Sequence, residues 1–109
     1  MSARESSYIK LPNGETLQVF TIKRFAESIG RSQLTIRRWE KLGIIPNTFF
    51  VNDRGFRMYS QEQIDAVVDA LKEVGYFKKA SGLLSTDFSS LCHKKWGELK
   101  IKYLSKKGT

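Results

Sequence analysis

The chain has 109 residues, enough for one small domain with a modest core and with little room for a separate catalytic or ligand-binding domain, so no sensor module is expected. Its 40% apolar and 12% aromatic content is that of a folded protein, and the formal charge of +8 points toward a polyanionic partner. Nothing reaches the roughly 18 apolar residues of a membrane span, the start offers no signal-peptide core, and the lone Cys92 suits a reducing compartment, so a cytoplasmic, nucleoid-associated protein is expected.

Residues 8–11 and 16–20 are short β-prone runs around Pro12-Asn13-Gly14, which predicts a hairpin extension over 1–19 that braces the start of the first helix. Thr21 is placed to cap a helix over 22–29, where Ile22, Phe25, Ala26 and Ile29 share one face, and Gly30 ends it. Ser32 caps the next helix, over 33–42, which Gly43 and Pro46 stop. Two short helices joined by a three-residue, glycine-containing turn make a helix-turn-helix.

The second of these helices divides its side chains by angle. With Leu34 at zero, Ile36 and Trp39 fall at about 200° and about 140°, whereas Arg37, Arg38 and Lys41 lie within about 60° of Leu34. One face is core and the other cationic, as a recognition helix requires if it is to anchor on its neighbour and reach phosphates and base edges. Trp39 is assigned to the core. Leu34, an aliphatic residue among cations, has two readings: it packs on the wing or a nearby loop, or it meets a thymine methyl in the major groove.

After Pro46 the period changes. Residues 48–51 and 56–59 are β-branched or aromatic runs around Asn52-Asp53-Arg54-Gly55, which predicts a second hairpin with a basic tip. Arg54 at the turn and Arg57 on the returning strand are placed for the DNA backbone or an adjacent minor groove. Ser60 opens a third helix with Gln63 completing a capping box; Ile64, Val67, Val68 and Leu71 form its core stripe and Gly75 ends it. Ser85 or Thr86 caps a last helix over 87–104, about 27 Å long, with Phe88, Leu91, Cys92, Trp96, Leu99 and Tyr103 on one face and lysines on its flanks. Charge follows the same division: residues 20–60 carry +5, 61–75 carry −3 and 76–109 carry +6. The excess sits on the suspected binding unit and the tail. The fold class predicted is mainly α with small β-hairpins: a winged helix-turn-helix over 20–77, then a linker and amphipathic basic helix over 78–109.

Thr21-Ile22, Ala26, Gly30, Ser32, Thr35-Ile36-Arg37, Glu40, Gly43-Ile44-Ile45-Pro46, Gly55-Phe56-Arg57-Met58-Tyr59-Ser60 and Gly75 together resemble the DNA-binding region of the MerR family, over about residues 20–77. The resemblance implies a winged helix, usually dimeric, that binds and distorts promoter DNA. By position it carries DNA contact onto Arg37, Arg57 and Tyr59. Arg31, Leu34 and Arg38 depart from the residues usual in the family, so a recognised base sequence does not transfer. The expected DNA-binding set is Arg31, Gln33, Leu34, Arg37, Arg38 and Lys41 from the second helix and its approach, with Arg54, Arg57 and Tyr59 from the wing. MerR-like regulators place a dimerisation helix after this unit, which favours the tail stripe as half of a homodimer interface. The competing reading folds the stripe back onto its own core.

Cys92 and His93 are adjacent, so on a helix they point about 100° apart and cannot act as nucleophile and base together. One thiol does not supply a zinc set, and no phosphate-cradling glycine loop appears, so neither enzymatic activity nor a cofactor is expected. The function expected is a small sequence-specific transcriptional regulator. The alternatives are an architectural DNA binder similar to phage excisionases or terminase small subunits, and a protein-binding adaptor that uses the tail helix.

Overall fold

The computed structural model describes residues 6–74 and 86–105; Gly75 and Ser85, expected at helix ends, lie outside them. In chain order come β1 (Ser6–Lys10), β2 (Thr16–Thr21), α1 (Ile22–Ile29), α2 (Gln33–Lys41), β3 (Phe50–Val51), β4 (Arg57–Ser60), α3 (Gln61–Glu73) and α4 (Thr86–Leu104).

The two hairpins are not separate. They form one antiparallel sheet in the order β1-β2-β4-β3, because β2 pairs with β4, setting Val19 opposite Ser60, Phe20 opposite Tyr59 and Thr21 opposite Met58. The N-terminal hairpin thereby ties the wing to the start of α1 through its second strand.

Both helices of the helix-turn-helix end in the same way. Gly30 (φ 69°) and Gly43 (φ 77°) adopt left-handed backbone that a Cβ would oppose. In each case the following amide bonds back five residues: Arg31 N donates to the Ala26 carbonyl at 3.0 Å and Ile44 N to the Trp39 carbonyl at 2.8 Å. These are Schellman closures, which satisfy carbonyls that the helix end would leave orphaned. At the helix starts the three expected caps differ. Ser32 Oγ accepts from Thr35 N, and Ser60 with Gln63 forms the full capping box. Thr21 has the extended backbone of a cap, but its side chain makes no capping bond and its hydroxyl oxygen is buried without a hydrogen-bond partner. Strand pairing holds Thr21 against Met58, and this registry takes the place of the local cap.

The tail stripe takes the competing of its two readings and folds back onto the chain's own core. Phe88, Cys92, Trp96 and Tyr103 of α4 are buried within the chain itself, and Leu91 and Leu99 pack against the same core. A dimer formed through this stripe would have to open the core first, and an adaptor using it would meet the same obstacle. Three aromatic anchors hold α4 along its length. Phe88 stands edge-on to Trp39 of α2 (ring centroids 5.5 Å apart), Trp96 Nε1 donates to the Gln63 carbonyl of α3 at 3.0 Å, and Tyr103 packs on Phe50 of the wing at 5.5 Å. The helix therefore runs beneath the recognition helix, across α3 and under the wing.

Two apolar clusters result. The larger gathers Phe25, Ile29, Ile36, Trp39, Tyr59, Ile64, Val67, Leu71, Phe88 and Trp96 between the helices. The smaller, Leu11, Val19, Phe50, Met58 and Tyr103, fills the other face of the sheet. Alternation along β4 explains the split, since Met58 points into one cluster and Tyr59 into the other.

Candidate nucleic-acid interface

The α2 wheel is reproduced in three dimensions. Ile36 and Trp39 are buried, while Leu34, Arg37, Arg38 and Lys41 are exposed on the opposite face, with Arg31 exposed just before the helix and Gln33 half-buried at its first position. The exposed side thus carries three cations within two turns, next to the exposed arginines of the wing.

The wing turn is built by Asn52. Its side-chain Oδ1 accepts from Arg54 N at 2.9 Å and Phe56 N at 3.0 Å, and its backbone closes the loop with Gly55 and Phe56. This Asx-type closure presents Arg54 at the tip, exposed. Thr48 stiffens the base of the wing by donating to the Met58 carbonyl at 2.6 Å.

Tyr59 is a correction to the expected contact set. It is fully buried in the larger core, its ring 4.8 Å from Phe25, and its hydroxyl donates to Glu40 Oε2 at 2.8 Å. A side chain enclosed in this way cannot touch a duplex lying on the surface. Its role is structural, because the same Glu40 carboxylate meets Arg57 Nη1 at 3.2 Å through Oε1, an ion pair outside hydrogen-bond geometry. Glu40 belongs to the recognition helix and Arg57 to the wing. One buried carboxylate therefore joins the two elements, with Arg57 still half-exposed and able to present its remaining donors outward.

Electrostatics around this junction are strong. Burial, followed by the neighbouring Glu40 charge and its hydrogen bond, pushes the Tyr59 phenol far above its ordinary value of 10, while Arg57 and Arg37 pull it the other way.

Glu40 was not among the expected site residues, yet the helical wheel contained the signal. At 100° per residue it falls at about 240°, beside Ile36 at about 200°, so it is a carboxylate at a core angle and needs a buried partner. Arg24 was also missed. Its guanidinium lies 4.1 Å from the Phe20 ring centroid and donates to Gln61 Oε1 at 3.0 Å, which ties α1 to the sheet and α3.

The residues outside this surface have structural roles. His93 Nε2 donates to the Gly43 carbonyl at 2.9 Å, clamping α4 to the end of α2. Cys92 is buried, and burial pushes its thiol up to about 12, so it is not a thiolate nucleophile at neutral pH.

A short helical pair with its cationic face open beside a basic β-hairpin, all on one small sheet, defines a winged helix-turn-helix protein. The family model of the MerR HTH family of regulatory proteins matches residues 20–85, and the chain belongs to that family. Over 59 residues it is 36% identical to the mercuric resistance operon regulatory protein of Bacillus cereus, a stretch that covers 52% of this chain and 44% of that protein. The likeness therefore spans less than half of that relative's length. No solved structure matches the chain.

Proposed function

We propose that the chain binds double-stranded DNA sequence-specifically and regulates transcription, with α2 in the major groove and the wing on the flanking backbone or minor groove. The observation that carries this reading is the exposed cationic face of α2, with Arg37, Arg38 and Lys41, beside a wing whose Arg57 is tied to α2 through the Glu40 carboxylate. The junction holds Arg57 against α2 before any ligand arrives, and a preorganised charge loses less entropy on binding phosphate. Arg38, Lys41, Arg54 and Arg31 extend the cationic surface to either side, and Gln33, in the first turn of α2, lies where recognition helices address base edges. Membership of a family of regulatory proteins supports regulation as the outcome. Mercury is not carried over from the relative, because the chain's single thiol is buried and protonated at neutral pH.

Selection of bound fragments followed by titration tests the assignment. Arg37→Ala should weaken binding to a selected operator by about 1–3 kcal/mol. Six backbone contacts would give a slope of about −5 in log affinity against log salt. An Arg37→Ala protein that binds as tightly as the wild type removes α2 from the interface.

A further inference from the structure

Among the described residues, nothing in the fold explains Leu34. It sits in the first turn of α2, belongs to neither apolar cluster, and leaves 63% of its surface open. Packing on the wing or a loop, one of its two readings from sequence, is therefore not what holds it there. Its neighbours on that face, at i+3, i+4 and i+7, are Arg37, Arg38 and Lys41, all exposed, so Leu34 lies within the cationic stripe rather than at its margin.

An open aliphatic side chain at that point neither stabilises the core nor adds attraction for phosphate. It becomes useful when the surface it faces has an apolar feature. The floor of the major groove has one, the methyl group at C5 of a pyrimidine, carried by thymine and by methylated cytosine. The first turn of a recognition helix is the part that approaches base edges, and the longer arginines around Leu34 can span to phosphates while it faces the floor. On the basis of the DNA-binding reading above, we infer that Leu34 is a specificity-determining residue that selects a pyrimidine C5-methyl, that of thymine, at one position of the bound site.

The test uses the full chain and an operator selected from unmethylated random duplex. Each thymine is replaced singly by deoxyuridine, which keeps the base pair and removes only the methyl. At the contacted position the wild-type protein should lose about fourfold in affinity, the equivalent of one methyl returned to water. Leu34→Ala should bind the thymine and deoxyuridine duplexes alike. Because Leu34 is exposed, this variant should melt with the wild type, so the comparison is not confounded by folding. In a second series each cytosine is methylated at C5; a Leu34-dependent gain there, with no loss at any thymine, would assign the methyl to methylcytosine instead and overturn the thymine assignment. Deoxyuridine without effect, or with the same effect in both proteins, overturns the inference while leaving DNA binding intact. Failure of the wild type to bind any duplex overturns the DNA-binding reading itself.

Discussion

Ending the chain at Ser85 removes α4 and should abolish folding of the rest. The structure sets the magnitude. Phe88, Trp96 and Tyr103 are almost wholly buried against α2, α3 and the wing. At about 1.5–3 kcal/mol for each large apolar side chain, the three aromatics alone contribute about 5–9 kcal/mol. A small domain's entire stability is only roughly 5–15 kcal/mol, so little or nothing remains. Far-UV circular dichroism and thermal melting of the truncated chain should show no cooperative transition, and DNA binding should disappear with it. Trp96→Ala, a milder perturbation in the full chain, should cost about 3–5 kcal/mol and lower Tm by on the order of 15 °C. If residues 1–85 melt cooperatively within a few degrees of the full chain, α4 is not part of the core and the argument from burial fails. A tail that served only as a dimer interface would give that result, with the truncated protein folded and monomeric.

Two further outcomes follow from the hydroxyl networks. Burial raises the phenols of Tyr59 and Tyr103 above their ordinary value of 10, so the folded chain holds these protons longer than the unfolded one. Their contribution is whole below about pH 10 and is lost as pH rises through the raised folded values, at up to about 1.4 kcal/mol per pH unit for each. Urea midpoints should fall from pH 9 to pH 11, and Tyr103→Phe should flatten that fall; an unchanged slope would mean that Tyr103 is not buried as described. At the wing junction, Glu40→Ala leaves the Tyr59 hydroxyl buried without its acceptor, at a cost of about 1–3 kcal/mol. Glu40→Gln keeps an acceptor and gives up only the ion pair to Arg57, whose half-exposed guanidinium stays solvated, so chemical denaturation should place it within about 1 kcal/mol of wild type. Equal costs for the two substitutions would contradict this division of roles.

The parts of the fold that local chemistry determines were legible in the sequence. The bounds of α1 follow from the 22–29 apolar face and Gly30, and the α3 capping box from Ser60 and Gln63, because caps and periodicity act within a few residues. The pairing of β2 with β4 was not legible, since it joins Thr21 to Met58 across 37 positions and no short-range pattern encodes it. Among the site residues, Arg37, Arg38 and Lys41 stand on the exposed face that the wheel gave them. Tyr59 was misplaced because its position in a strand next to Arg57 says nothing about which face the larger core covers. Alternation put the two on the same side of β4, where both reach Glu40, yet Tyr59 is enclosed by the larger core and Arg57 is half-exposed.

The tail helix shows how far an amphipathic pattern can be taken. Periodicity establishes that the Phe88–Trp96–Tyr103 stripe must be covered and is silent on what covers it. The other elements supply the missing information through polar groups rather than apolar ones. The Gln63 carbonyl accepts from the Trp96 indole, Ser60 and Glu62 engage the Tyr103 hydroxyl, and the Gly43 carbonyl accepts from His93. Each of these bonds is directional, so together they fix the position of α4 along the fold as well as its facing side. Lys102 adds a fifth by donating to Glu62 at 2.8 Å, and that bond, ahead of the one from Tyr103, holds the Glu62 carboxyl below its ordinary value. Because these anchors include the end of α2 and the base of the wing, a shift of α4 would change the spacing between the recognition helix and Arg57. In this chain the tail therefore bears on the spacing of α2 and the wing through contacts within its own domain.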